Sequence, residues 1–128
     1  MITVTSKTDK YLMELTNGVV TLNADVPADH GGSGQHIAPF ELLRASFAAC
    51  LCATCRMLMD KRNLAYDSVV VKVDVDKDST PGKTIFKYGI TINADNITEA
   101  DKAKFAKMAY NGCPIHKALE QEIVFEAL

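Results

Sequence analysis

Neither sign of charge prevails in this chain of 128 residues. Fourteen lysines and arginines stand against sixteen aspartates and glutamates, a net charge of -2, with an isoelectric point near 5.9. Without a basic surplus there is no electrostatic case for nucleic acid or an anionic membrane as a partner. No uninterrupted apolar run reaches the ~18 residues that a membrane span requires. The opening residues Met1-Ile-Thr-Val-Thr-Ser-Lys7 lack the apolar core of a secretory signal. The expectation is a cytoplasmic protein that engages neither nucleic acid nor membrane. In a reducing compartment its four cysteines are more naturally free, catalytic or metal-bound than paired in structural disulfides.

Familiar site motifs are also missing. There is no GxxxxGK[ST] or GxGxxG cradle for phosphates, no GxSxG elbow for a nucleophilic serine and no HExxH pair for zinc. No internal repeat or low-complexity tract breaks the chain, so residues 1–128 read as one domain, long enough to bury a core.

What the sequence does contain centres on residues 39–61, which read as one long helix. Pro39 suits the first helical position and Glu41 complements the positive end of the macrodipole. No glycine or proline interrupts residues 40–61, so the propensity is high throughout. At ~100° per residue, Leu43, Ser46, Phe47, Cys50, Thr54 and Met57 share one side, while Glu41, Arg44, Cys52, Cys55 and Met59 share the other. Apolar residues occur on almost every side, which predicts a helix with neighbours all round.

Around this helix the chain alternates as strands do. Residues 2–6, 11–15 and 19–24 form three short β-like runs, with Asn17-Gly18 as a hairpin signal, and predict an antiparallel meander. The Gly-rich stretch 25–38, which contains His30 and His36, reads as a long loop leading into the helix. Val69, Val71, Val73 and Val75 alternate with polar residues, as do Phe86, Tyr88, Ile90 and Ile92. Those two strands form a second hairpin across a turn at 78–83. Thr98-Glu-Ala-Asp101 opens a helix that Asn111-Gly112 is expected to stop near Tyr110. Cys113 then caps a short helix entered through Pro114, and residues 122–126 read as a final strand. The fold class is α+β, with antiparallel sheets packed around a long central helix.

Cysteine chemistry depends on thiolate fraction and access. By that rule Cys113 is the more acidic candidate, because it sits at a helix N-terminus with His116 one turn along. Burial among Phe47, Leu51 and Met57 should instead raise the pKa of Cys50. Cys52-Ala-Thr-Cys55 matches CxxC, a pattern of redox dithiols and half zinc sites. It lies inside a helix, however, with no second ligand pair, so core packing is the favoured reading and no metal or other cofactor is expected.

Taken together, Pro39-Phe-Glu-Leu-Leu, Ala48-Ala-Cys50 and Cys113-Pro-Ile-His116, with paired strands and a helix between them, resemble the OsmC/Ohr family of thiol peroxidases. The resemblance runs from about Val19 to the C-terminus and is closer to the broader OsmC-like branch. It implies an intertwined homodimer and a peroxidase acting on organic hydroperoxides, with an external dithiol of lipoyl or thioredoxin type as reductant. It assigns Cys50 as the peroxidatic and Cys113 as the resolving cysteine, with Glu41 and His116 as weaker catalytic candidates. Phe47, Met57 and His36 are candidates for contacting substrate. In the organic hydroperoxide resistance branch, a glutamate ten residues before the first cysteine pairs with an arginine from the N-terminal region. Here Phe40 has that spacing and no arginine precedes Arg44, which leaves Lys7 or Lys10 as the cations of that region. The alternatives are a non-peroxidatic dithiol redox protein and a small-molecule-binding dimer of the same fold.

Overall fold

A computed structural model describes residues 1–76 and 81–128. The chain forms two compact units, Met1–Leu43 and Arg44–Leu128.

The first unit is built on the expected meander. Strands β1 (Thr3–Ser6), β2 (Met13–Thr16) and β3 (Thr21–Ala24) pair antiparallel in the order β1-β2-β3, with Val4 opposite Leu15 and Leu15 opposite Leu22. Asn17 sets the second turn, its Oδ1 accepting the Val19 and Val20 N–H groups at 2.9 Å each, while Gly18 takes φ of +92°. An asparagine followed by a glycine makes both features inexpensive.

After β3 the loop is more ordered than its composition implies, because Asp25 organises it. This carboxylate is 3% exposed. It accepts the Val26 N–H, the Ser33 N–H and the Ser33 hydroxyl, each at 2.8 Å. Those bonds stabilise the ionised form. The Ser33 backbone bond leads, then the Ser33 hydroxyl, and Asp25 is held below the usual carboxylate range. A single 3-10 turn, Ala28–His30, lies inside the loop.

Helix α1 runs over Pro39–Asp60, within a residue of the sequence expectation. Its start is a capping arrangement: Glu41 Oε2 accepts the Ala38 N–H at 2.8 Å, and Ala38 C=O accepts the Leu42 N–H at 2.9 Å. Its end is a left-handed residue, Asn63 at φ +52°, which brings the Leu64 N–H onto Met59 C=O at 3.1 Å. The buried stripe is Phe47, Leu51, Cys55 and Met59, a strict i, i+4 row. The expected faces were offset from this row, and Met57 is 62% exposed. By length and composition alone α1 would also pass as a membrane span. Its stripe instead serves as the floor of two protein cores, which suffices to explain its apolarity.

In the second unit, β4 (Ser68–Asp76) and β5 (Ile85–Asn93) pair antiparallel, with Val71 opposite Ile90 and Val75 opposite Phe86. The valine alternation is realised: Val69, Val71, Val73 and Val75 face inward between exposed neighbours. The predicted turn at 78–83 falls partly outside the described residues, as does Asp78. Arg44 Nη1 joins α1 to β4 through Asp74 Oδ1 at 2.8 Å.

Helix α2 (Glu99–Gly112) begins where Thr98 Oγ1 accepts the Asp101 N–H at 3.2 Å. It passes through Asn111 and Gly112 with ordinary helical backbone and stops at Cys113, which is extended at φ -70°, ψ 116°. The stop comes from Pro114, whose ring excludes helical geometry from the preceding residue, and not from Asn111-Gly112 as expected. Helix α3 is Pro114–Glu120. The expected strand at 122–126 is absent. That segment is irregular and exposed, with Phe125 at 92%, and it pairs with no strand among the described residues. Two cores result, one around Cys55, Met59, Ile92 and Phe105, the other around Phe47, Leu51 and Cys113.

Candidate active site

The second core holds the chemistry. Cys113 is fully buried against Phe47 and Leu51, and half-buried Cys50 packs on the same cluster. The placement follows from α2 ending close to α1. A Cβ added to Gly112 would meet Thr54 Cγ2 at 3.5 Å, so the corner before Pro114 lies alongside the helix that carries Cys50. Across that gap the two thiols, 63 positions apart in the chain, pack on one cluster and act on each other electrostatically.

Cys113 also caps α3: its Sγ accepts the His116 N–H at 3.4 Å. A thiolate would profit from that N–H and from the neighbouring one of Ile115, yet the opposite tendencies win. Burial comes first and the bond to Cys50 second, and together they push the Cys113 thiol upward. That direction runs against the expectation that Cys113 is the more acidic cysteine. Seven residues of α3 supply a weak dipole, whereas complete removal from water acts at full strength.

Aromatic rings wall this cluster. Phe47 meets Phe86 and Tyr88 edge-on, each at 5.8 Å between centroids. Tyr88 stacks on Tyr110 at 5.1 Å and 4°, and the His116 ring lies 3.8 Å from that of Tyr110. His116 is held at both nitrogens. Nδ1 is 3.0 Å from Tyr110 C=O, an acceptor, so Nδ1 carries the donated proton. Nε2 is 2.8 Å from Glu120 Oε1, close enough for an ion pair but without hydrogen-bond alignment.

The other sequence candidates are placed elsewhere or differently. Glu41 caps α1 through Ala38. His36 is half-buried in the first unit, where its charge acts on Asp25. Met57 is outside the cluster on an exposed part of α1. Lys7 pairs with Glu14 at 3.0 Å, and Lys10 occupies a turn at φ +42°. Cys55 is sealed in the first core, where burial raises its pKa to about 11. Cys52 Sγ donates to Val69 C=O at 3.6 Å. Cys55 thus packs in the core, and Cys52 is half-buried against β4. Tyr88, Tyr110 and Glu120 were not foreseen. Tyr88 could have been, since its register with Phe86 and Ile90 aims it at the same side.

An α+β thiol protein with a long helix delivering one cysteine to another at a helix corner is the class that these features define. The sequence profile of the family described as OsmC-like protein matches residues 32–127, and the chain belongs to that family. It is 27% identical over 106 residues to organic hydroperoxide resistance protein-like 2 of Staphylococcus epidermidis, covering 79% of this chain and 73% of that one. Among solved structures, the OsmC-like protein of Mycoplasma pneumoniae superposes with a TM-score of 0.72 at 18% identity, over 94% of this chain and 86% of its own. The organic hydroperoxide resistance protein OhrB of Bacillus subtilis gives 0.63 at 20%, over 94% and 89%. At such identities these structures establish the fold alone.

Proposed function

We propose that the protein is a thiol peroxidase that reduces organic hydroperoxides, working as a homodimer in the cytoplasm, with residues 1–128 forming one domain. The observation that carries this reading is the packing of Cys50 and Cys113 on one aromatic-walled cluster. The names of the Staphylococcus and Bacillus relatives point the same way. Phe40 and Met57 on α1, 55% and 62% exposed, are apolar surface suited to a second copy.

In this mechanism the Cys50 thiolate attacks the distal oxygen of ROOH. The O–O bond breaks, ROH departs with one proton, and Cys50 is left as a sulfenic acid. Cys113 lies on the same cluster. Its sulfur attacks the sulfenic sulfur, water leaves, and a disulfide forms. An external dithiol of lipoyl or thioredoxin type then returns two electrons and two protons. Phe47 and the rings beside it favour an alkyl or aryl R group over hydrogen peroxide.

The test is consumption of cumene hydroperoxide by the purified protein with a dithiol reductant. Cys50→Ser should abolish it, and Cys113→Ser should stop turnover after one equivalent. Redox cycling of the pair with no peroxide consumed would replace this reading with that of a dithiol exchange protein.

A further inference from the structure

A cavity of about 630 Å³ opens on the second unit between the chain that follows α1 and one side of α2. Leu64, Ile97 and Phe105 among its lining belong to the Cys55 core, and none of its residues lines the dithiol cluster. The volume falls within the ~300–1,000 Å³ of small-molecule sites. Leu64, Ile97 and Phe105 provide an apolar floor, with Ile97 and Phe105 each 6% exposed. Arg62, Lys104 and Lys107 stand around it, opposed by a single carboxylate, Asp101.

Arg62 is the best fixed of the three cations. Its Nη1 donates to Leu58 C=O at 3.0 Å, and its guanidinium carbon lies 5.4 Å from the centroid of Phe105. That arrangement holds a positive charge at the edge of an apolar floor, where the ring face favours it. Lys104 and Lys107 make no ion pair among the described residues. Their charge is therefore available to a ligand and not spent on a neighbour. A chain with a net charge of -2 has here concentrated three cations against one acid over buried hydrocarbon.

We propose that this cavity binds a small amphipathic anion, an alkyl or aryl carboxylate whose tail covers Phe105 and whose head meets Arg62, Lys104 and Lys107. The reading stands apart from the peroxidase proposal and does not require it. A bare anion would leave the floor wet, and an apolar or cationic molecule would leave the three cations unanswered.

Titration of isotope-labelled protein with decanoate, below its micellar concentration, should shift the amide resonances of Phe105, Met108 and their neighbours on α2. Decyltrimethylammonium, with the same tail, and inorganic phosphate, with no tail, should each bind at least tenfold more weakly. The double substitution Lys104→Glu and Lys107→Glu should weaken decanoate about tenfold, as expected for reversal of two exposed charges. Should it fail to fold, Lys107→Gln alone should weaken decanoate measurably with an unchanged melting temperature. Equal binding of the cationic amphiphile or of phosphate, decanoate affinity unaltered by the lysine changes, or shifts confined to residues around Cys113 would each overturn the proposal.

Discussion

The sulfur of Cys113 accepts the backbone N–H of His116 at 3.4 Å, so one atom both ends a helix and faces Cys50. Serine offers an oxygen acceptor in the same place, and alanine offers none. Cys113→Ser should keep α3, whereas Cys113→Ala should cost about 1 kcal/mol for the lost cap and more for the cavity in the core. Urea denaturation of the two variants reads the difference. Equal stabilities would show that the sulfur contact caps nothing.

Glu41 is a sequence candidate for catalysis that the structure engages in capping α1. Glu41→Gln retains an oxygen acceptor for the Ala38 N–H and should change stability little. Glu41→Ala should lose about 0.5–2 kcal/mol. Neither should alter peroxide consumption once folded protein is counted. A drop in rate with Glu41→Gln at unchanged stability would return Glu41 to the chemistry.

Cys55 makes a pH prediction whose sign follows from its burial. Folding raises its pKa from 9.0 to about 11, so the folded state holds the proton more tightly than the unfolded chain. The resulting stabilisation is complete below pH 9 and is lost as pH rises toward 11. Cys113 is shifted in the same direction and adds to the slope. Urea midpoints should fall across that window, and Cys55→Ala should flatten the fall while leaving peroxide consumption intact. A slope indifferent to Cys55→Ala would mean that its thiol is not sealed from water.

Gly32 is predicted to tolerate no side chain. A Cβ there would stand 1.8 Å from Val26 C=O and 2.9 Å from Asp25 Oδ1, and a backbone oxygen cannot step aside as a flexible side chain can. Gly32→Ala should break the bonds that Asp25 makes to Val26 and Ser33, lowering the melting temperature and exposing the loop to protease. Gly18→Ala, with nothing within 4 Å of the new carbon but φ of +92°, should show only the smaller backbone penalty of about 1 kcal/mol.

Local signals in the sequence carried most of the fold. The ends of α1, the three-strand meander, the valine face of β4 and the Thr98 and Cys113 caps each depend on neighbours a few positions away, and each was legible. The failures share a different cause. Residues 122–126 alternate like a strand, but strand formation needs an edge, which a local pattern does not supply. Asn111-Gly112 is a good helix stop, yet Pro114 imposes its own stop two residues later.

The cluster was legible in several of its members and not in its electrostatics. Cys50, Cys113, Phe47 and His116 were all named from the sequence, and the structure gathers them in one cluster. The upward push on Cys113 comes from burial and from a neighbour 63 positions away, terms that the helix-terminus argument for Cys113 does not contain. Met57 was misplaced because a helical wheel shows which residues share a face, not which face the protein covers.

The cap on α3 rests on a sulfur lone pair and not on a proton or a charge. A lone pair of that kind survives when a sulfur is bonded to a second sulfur. Oxidation and reduction at this corner can therefore proceed with little refolding of the short helix, and the protein's calorimetric profile should differ between its two oxidation states less than a bond across 63 positions would otherwise imply.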